Sequence, residues 1–541
     1  MKNKHGIGLA ILSGGLLTAA WPTWGFVPLI FIALIPLLML EDRITRDGKG
    51  KLFWLSFLCF LIWNTATTWW IWNATPAAVA AWILNALFMS IVFNLFHLTK
   101  KKVCNNAWGN FLLIPYWMAF EYLTYHWSLK WPWLNLGHVF STCHSWVQWY
   151  EYTGVAGGTL WVLLVNILIF NTLLFFKEKQ VQLAFMQIGI AVVLLLTPIL
   201  IGKHIYKHYE EQGEDVEVVV VQQNCDPWNE QYDPEMFAAV IQNNINLSLP
   251  LVTPKTRFVV SSESAIQEGI WLHELDRAEA LNTLQSYVRR FPQMAYVIGG
   301  TTYEFVPPGM EDDFPAQQIG NSNRYYYCHN TALLIDTTNI SYRHKAQLVP
   351  GVEAIPSWMG FLKNYSLTVA VARGTLKGDP SARVLNFDGH KVAVPICYES
   401  AFGEYVGEFC KKGADLVFVI TNDSWWGHTP GYRQHFEFSK LRAIETRRSI
   451  ARSANTGRSG FINQRGDVLQ QTHYWVPDAR RETLKANTKL TFYAKHGDYL
   501  SRIAVYLTFV ELLTLIAFTL IGATKSKKTA QSAKGKKKKK K

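Results

Sequence analysis

Charged side chains are scarce in this sequence. Asp, Glu, Lys and Arg make up 17% of its 541 residues, and stretches such as 52–72 and 78–98 contain none of them. An ordinary soluble domain spreads about 25% charged residues along its length, and the composition here suggests a membrane class. Basic residues are also few once the C-terminus is set aside: removing the ten lysines after Gly522 (Lys525, Lys527, Lys528, Lys534 and Lys536 through Lys541) from the net charge of +13 leaves +3. No basic groove interleaved with aromatics is left, which argues against a nucleic-acid partner. Internal repeats at a short fixed period are absent. So is zinc-type ligand spacing around His428 and His435, which read as surface or helix-entry residues. No metal and no organic cofactor is suggested.

What the sequence has instead is long apolar runs and aromatics, with 22 Trp, 23 Tyr and 31 Phe. Crossing a bilayer takes about 20 apolar residues of helix. Eight candidates follow: Gly6–Ala20, Trp24–Leu40, Leu52–Trp72, Ala78–Leu98, Trp108–Leu123, Thr159–Phe176, Leu183–Ile201 and Ile503–Ile521, the first, second and fifth being short enough for buried or re-entrant helices. "AAWPTWG" makes a poor cleavage site and a second run follows at once, so the first is read as a span, not a signal peptide. Lysine and arginine collect in alternate connections (Lys2 and Lys4; Arg43, Arg46, Lys49 and Lys51; Lys100 to Lys102; Lys177 and Lys179; the tail), with Lys130 the exception. Basic residues mark the cytoplasmic side, which puts both termini inside and the long segment after the seventh run outside. The expected organisation is spans 1–7 over 1–202, an outer domain over 203–502, span 8 over 503–522 and a disordered lysine-rich tail over 523–541. Five cysteines (Cys143, Cys225, Cys328, Cys397, Cys410) then face the outer side, an odd number that leaves at least one thiol unpaired in a monomer.

Within the outer segment the hydrophobic period changes. Short β-branched runs ("VEVVVVQ" from Val216, "RFVVSS" from Arg257, "AYVIGGTT" from Ala295, "NTALLID" from Asn330, "KVAVPICYE" from Lys391, "ADLVFVITND" from Ala414) alternate with helical patterns from Met236, Leu272 and Gln434. Continuous apolar strands are covered on both faces, and the alternation predicts a layered α/β domain. Polar residues stand at the downstream ends of several strands, where such folds bind ligands: Glu263, Lys345 with Glu353, Cys397 with Glu399, and Asn422 with Asp423. A thiol is mostly protonated at neutral pH and needs a base to become a nucleophile. A carboxylate supplies that base, and an ammonium offsets the negative charge that attack on an acyl carbon builds on oxygen. Taken singly, Cys397 reads first as core filler, Glu263 as a loop or helix-start carboxylate and Lys345 as surface charge, and Glu353 reads also as a helix-start or loop carboxylate.

The segments "SSESAI", "YRHKAQLVPGVEAIP", "VPICYES" and "TNDSWWGHTPGYRQHFEFSKLRAIETRRSIARSANTG" together resemble the nitrilase-like carbon–nitrogen hydrolase superfamily, and within it the apolipoprotein N-acyltransferase family. The resemblance covers essentially the whole chain apart from the tail. It implies an eight-helix transmembrane bundle carrying an extracytoplasmic α-β-β-α sandwich, in the inner membrane of a bacterium with the catalytic domain on the periplasmic side. By it, Glu263 is the general base, Lys345 the oxyanion-stabilising ammonium and Cys397 the nucleophile. Glu353, Tyr398 and Glu399 support them, and Trp228, Trp425 and Trp426 are substrate-contact candidates. The family commonly has "LVPFGE" where this chain has "LVPGVE", so the position of Glu353 carries over better than the shape of its loop. The implied reaction is ping-pong: Cys397 takes a fatty acyl chain from a phospholipid and passes it to the α-amine of a diacylglyceryl-modified N-terminal cysteine on a lipoprotein. Two other readings compete. A membrane-tethered amidase or nitrilase would pass the acyl group to water, and a transporter or scaffold would carry a dead enzyme domain. Against the first stands the multi-span bundle, and against the second the intact set of three residues and the scarcity of intramembrane charge, Glu121 being the main exception.

Overall fold

The computed structural model describes residues 2–48, 50–354 and 375–538. Ile355 and Pro356 of "YRHKAQLVPGVEAIP", and the last three lysines of the tail, lie outside the described residues. The N-terminal part is a helical bundle: α1 (Lys2–Ala20), α2 (Ile35–Asp47), α3 (Leu52–Thr68), α4 (Ala78–Val103), α5 (Leu113–His126), α6 (Tyr150–Lys177) and α7 (Val181–His208). Among the described residues, five helices are long and apolar enough to cross a membrane: Leu52–Asn73, Ala78–Val103, Tyr150–Lys177, Val181–His208 and Tyr499–Thr524. The second and fifth apolar runs are broken. Pro28 lies in a 3-10 turn at Val27–Phe31 and Pro36 in the first turn of α2, because proline lacks the N–H that would carry one helix into the next. In the fifth run a 3-10 turn, Ala107–Leu112, precedes α5, its N-terminus capped by the Asn106 side chain.

Two buried carboxylates inside the bundle are paired. Glu121 accepts hydrogen bonds from Trp117 Nε1, the Leu136 amide and Thr159 Oγ1 at 3.0, 2.7 and 2.6 Å, and so fastens α5 to the following turn and to α6. Glu41 is held by Lys100 Nζ at 2.5 Å and His97 Nδ1 at 2.7 Å, joining α2 to α4. An unpaired charge there would carry a desolvation cost of several kcal/mol, on the order given for ions in low dielectric.

The chain then builds two sheets. In order come β1 (Glu214–Gln222), α8 (Phe237–Ser248), β2 (Thr256–Val260), β3 (Ile266–Trp271), α9 (Glu279–Arg289), β4 (Ala295–Phe305), β5 (Gln317–Gln318), β6 (Tyr325–Ile335), β7 (Ile340–His344), β8 (Leu385–Phe387), β9 (His390–Ala393), α10 (Gly403–Lys411), β10 (Leu416–Thr421), α11 (Pro430–Thr446), β11 (Ile450–Ala454), β12 (Gly460–Ile462), β13 (Val468–Gln471) and β14 (Asp478–Ala486). The first sheet runs β14-β1-β2-β4-β6-β5, with β3 on β4 and β7 on β6; the second runs β13-β12-β11-β10-β9-β8. Each strand alternates its side chains between two faces. Val218, Val220 and Val260 meet Leu416, Phe418 and Ile420 between the sheets, while Val219, Val221 and Val259 pack outward with residues of α8 and α9. Phe436 and Ala443 of α11 and Val406 and Phe409 of α10 cover the outer face of the second sheet. The layers are therefore helix, sheet, sheet, helix, and the continuous valine runs follow from burial on both faces. A short helix α12 (Phe492–His496) leads into α13 (Tyr499–Lys538).

Two boundaries differ from the sequence reading. The helical pattern from Leu272 splits into a 3-10 turn (Leu272–Arg277) and α9, and that from Gln434 ends at Thr446, where Arg447 takes a left-handed φ of 48° and β11 follows. The tail expected as disordered continues α13 as far as Lys538. Its Lys, Ala and Gln are good helix formers and it has no proline.

α11 joins the two parts of the molecule. Its Phe438, Leu441 and Ile444 enter the bundle core while Phe436 and Ala443 face the second sheet. Gln434 Oε1 accepts from Trp133 Nε1 at 2.8 Å, and Glu445 Oε1 accepts from the Val155 amide at 3.0 Å. That amide is freed by a break at Gly154, whose φ of 61° suits glycine and where a Cβ would lie 2.3 Å from the Tyr493 ring.

Candidate active site

Four strands end at one place. Glu263 follows β2, Lys345 follows β7, Cys397 lies just beyond β9, and Asn422 follows β10. Parallel pairing of β9, β10 and β11 and of β1, β2 and β4 aligns these ends. They open into a cavity of about 110 Å³ lined by Glu263, Lys345, Glu353, Cys397 and Tyr398 on one side. Trp70, Trp131 and Trp133 of the bundle and Trp425 and Trp426 of the loop after β10 line the other. The bundle thus supplies one wall of the site.

Lys345 is 1% exposed and bridges two carboxylates, with Nζ 3.0 Å from Glu263 Oε1 and 2.8 Å from Glu353 Oε1. Burial opposes its charge, but the Glu263 and Glu353 carboxylates outweigh that and hold the ammonium well above its ordinary pKa. Glu263 is fixed from three directions: Asn330 Nδ2 donates at 2.7 Å and Lys345 Nζ at 3.0 Å to Oε1, and the Asn422 amide donates at 2.9 Å to Oε2. Glu353 Oε2 accepts from the Val349 amide at 2.9 Å, which closes the "LVPGVE" turn onto its own carboxylate despite Gly351 and Val352 in the middle.

Cys397 adopts a left-handed backbone with φ of 50° at the start of a 3-10 turn, Cys397–Ala401. Such a conformation in a non-glycine residue is strained and is held by its surroundings. Burial, and then the Glu263 carboxylate, push its thiol well above the ordinary range, with Lys345 pulling the other way. At rest the sulfur is therefore protonated and needs a base. Glu399 holds the turn: Oε2 accepts from the Ile396 amide at 2.7 Å and from Arg343 Nη1 at 2.6 Å, and Oε1 accepts from Arg343 Nη2 at 2.9 Å and the Ala346 amide at 2.6 Å. One carboxylate thereby ties the turn bearing Cys397 to the residues flanking Lys345. Tyr398 donates from its hydroxyl to the Lys130 carbonyl at 2.8 Å, tying the same turn to the bundle.

The sequence reading missed several members of this arrangement and misplaced one. His435 is 0% exposed, not a surface residue. Its Nε2 lies 3.1 Å from the Cys397 carbonyl and 2.9 Å from Ser400 Oγ, and its Nδ1 lies 2.9 Å from Asp423 Oδ1. Arg452 Nη2 donates to Asp423 Oδ2 at 2.8 Å. The separation of His435 from Cys397 along the chain hides this network from the sequence, where only Asp423 stands out, as a strand-end group. His428 is exposed and stacks on Tyr474 at 4.8 Å. Trp425 and Trp426 line the cavity, Trp426 lying against Trp70 at 4.7 Å. Trp228 is not part of the cavity wall: it is 54% exposed and meets Trp425 edge-on at 4.9 Å, on the outer rim. Asn330 opens a predicted strand and Arg343 lies within "YRHKAQLVPGVEAIP", but neither position by itself signals its role. A larger cavity of about 330 Å³, between the bundle and α10, is lined by Glu121, Lys130, Arg442 and Glu445 and contains no nucleophile of this kind.

Residues 13–168 match the family model described as apolipoprotein N-acyltransferase N-terminal domain, and residues 238–486 match that of carbon-nitrogen hydrolase. Among similar sequences, the apolipoprotein N-acyltransferase of Chlorobaculum tepidum is 27% identical, over 94% of this chain and 96% of its own length. That of Geobacter metallireducens is 25% identical, over 91% of each. Among solved structures, Nit3 of Saccharomyces cerevisiae, a member of the nitrilase superfamily, is 15% identical with a TM-score of 0.36, covering 50% of this chain and 90% of that one. An amidase from Nesterenkonia sp. is 17% identical with a TM-score of 0.35, covering 54% of this chain and 97% of that one.

Proposed function

Since the chain belongs to the apolipoprotein N-acyltransferase family, we propose that it transfers a fatty acyl chain from a phospholipid to the N-terminal diacylglyceryl-cysteine of lipoproteins, through a thioester on Cys397. The reading rests on one observation above others: Glu263, Lys345 and Cys397 line a single cavity that is also lined by Trp70, Trp131 and Trp133 of an apolar helical bundle.

In the first half-reaction Glu263 takes the thiol proton as Sγ attacks the ester carbonyl of the phospholipid. The oxyanion so formed faces Lys345 Nζ, whose charge is fixed by the two carboxylates it bridges. Collapse breaks the C–O bond, and the proton held on Glu263 passes to the departing alkoxide, which leaves as a lysophospholipid. In the second half-reaction the free α-amine of the acceptor attacks the thioester carbon, Glu263 removes a proton from nitrogen, and the C–S bond breaks. An amide forms and the thiol is restored. Glu353 keeps Lys345 in place and Glu399 keeps the nucleophile turn in place. Both substrates are lipid-anchored, which gives the bundle its purpose: it carries the strand ends to the membrane surface. In this reading the chain crosses a bacterial inner membrane eight times, with the sandwich on the periplasmic side and both termini in the cytoplasm.

The test is to incubate membranes bearing the chain with a fluorescent phospholipid and a diacylated lipopeptide. An amide-linked fluorescent product is expected; free fatty acid in its place would favour a hydrolase. Cys397→Ala abolishes both half-reactions, Cys397→Ser leaves at most a slow oxyester, and Glu263→Gln blocks thioester formation with the fold retained. Normal acylation by Cys397→Ala would falsify the mechanism.

A further inference from the structure

A second cluster of chemistry-bearing side chains lies on the opposite face of the first sheet. β6 pairs with β4 on one side and β7 on the other, in a register that sets His329 opposite Thr302 and His344 opposite Thr331. Glu304, His329 and His344 are therefore diagonal neighbours on three adjacent strands, a spacing that long side chains span. They share the face of Leu333, Ile335 and Tyr342, whereas Asn330 and Lys345, one residue further along, turn to Glu263. The two imidazole rings stack with centroids 3.9 Å apart at 20°. One donor atom from each of the three residues lies within 4.8 Å of the other two, and His329 Nε2 is 3.5 Å from Glu304 Oε2.

The hydrogen bonds decide what these rings offer. His329 Nδ1 lies 2.9 Å from the Lys377 carbonyl, which can only accept, so the proton is on Nδ1 and the lone pair on Nε2. His329 is 3% exposed and its Nε2 is buried without a hydrogen-bond partner among the described residues. His344 is anchored through Nδ1, 2.8 Å from Thr331 Oγ1, a hydroxyl able to accept the ring proton and itself 2.6 Å from Thr302 Oγ1. Holding Nδ1 with an outer partner and leaving Nε2 free is how proteins orient imidazole ligands. The cluster of Cys397, Asp423 and His435 differs, since both ring nitrogens of that histidine are already engaged.

We propose that His329, His344 and Glu304 form a binding site for a divalent transition ion of the zinc type, behind the strands that carry Asn330 and Lys345. Two imidazole nitrogens and a carboxylate oxygen are a zinc ligand set, with bonds of about 2.0–2.2 Å, and a bound ion fastens β4, β6 and β7 together. Neither histidine stands in a sequence spacing that announces a metal, because the pairing of β6 with β7 brings them together.

The test uses the full-length chain without a histidine tag, metal-depleted in detergent and titrated with Co²⁺. Strong visible bands of tetrahedral cobalt, displaced by Zn²⁺, are expected in the wild type. They should be lost in the double variant His329→Gln/His344→Gln and shifted in Glu304→Gln. Only weak octahedral bands in the wild type, or bands retained by the double variant, overturn the proposal. Because the double variant can fail to fold, X-ray absorption at the zinc edge of the zinc-loaded wild type is the second measurement. Imidazole and oxygen scatterers at about 2.0–2.2 Å support the site; a sulfur scatterer, or no imidazole, overturns it.

Discussion

A single buried imidazole carries a measurable consequence. Burial first, and the Arg452 guanidinium second, hold His435 below the ordinary imidazole range, against the pull of Asp423. The groups facing it are Asp423, Arg452, Ser400 and the Cys397 carbonyl, with Trp133 and Trp426 against its ring. In the unfolded chain it takes up a proton below about pH 6.5, while the folded protein resists protonation to a lower pH. The unfolded state then binds more protons, so this contribution to stability is complete above that pH and declines as the pH falls. Thermal midpoints of the detergent-solubilised protein between about pH 7 and about pH 5 should fall further for the wild type than for His435→Gln. Equal falls would mean that the ring is not held neutral.

Elements meet so closely at the site that backbone, not side chain, sets the tolerance. A Cβ on Gly299 of β4 would lie 2.7 Å from Glu263 Cα and 2.8 Å from the Ser264 nitrogen, both atoms of the main chain that cannot swing away. Gly299→Ala must push the end of β2 aside, and overpacking of this kind costs about 1–3 kcal/mol. Acylation should drop by more than the loss of folded protein explains, since the displaced residue is Glu263; a thermal melt measured beside thioester formation checks the two together. An unchanged rate would show that the strand end has slack. The same closeness explains the strain at Cys397, where Glu399 and Arg343 tie two strand ends through one buried ion pair.

For the molecule as a whole, the distribution of charge sets an expected sidedness. α7 and α13 leave apolar side chains such as Leu200 and Leu520 exposed, a surface suited to lipid. With the lysine-rich end inside, a cysteine introduced at Gln470 of β13, on the sandwich, should react with a membrane-impermeant maleimide in intact spheroplasts. One introduced at Ser526 should react only after lysis. The opposite pattern would invert the topology and remove the enzyme from its lipid-anchored acceptor.

The sequence alone determined the local and one-dimensional facts: where apolar runs are long enough for helices, where β-branched runs covered on both faces make strands, and which strands end on Glu263, Lys345, Cys397 and Asn422. Those follow from periodicity and residue chemistry, which act over a few residues. Tertiary structure decided everything that depends on strands meeting. It set Lys345 between two carboxylates, and placed His435 behind Cys397 and Trp228 outside the cavity. The physical reason is that pairing register and helix packing bring together residues far apart along the chain, and neither leaves a periodic mark in the residues it joins.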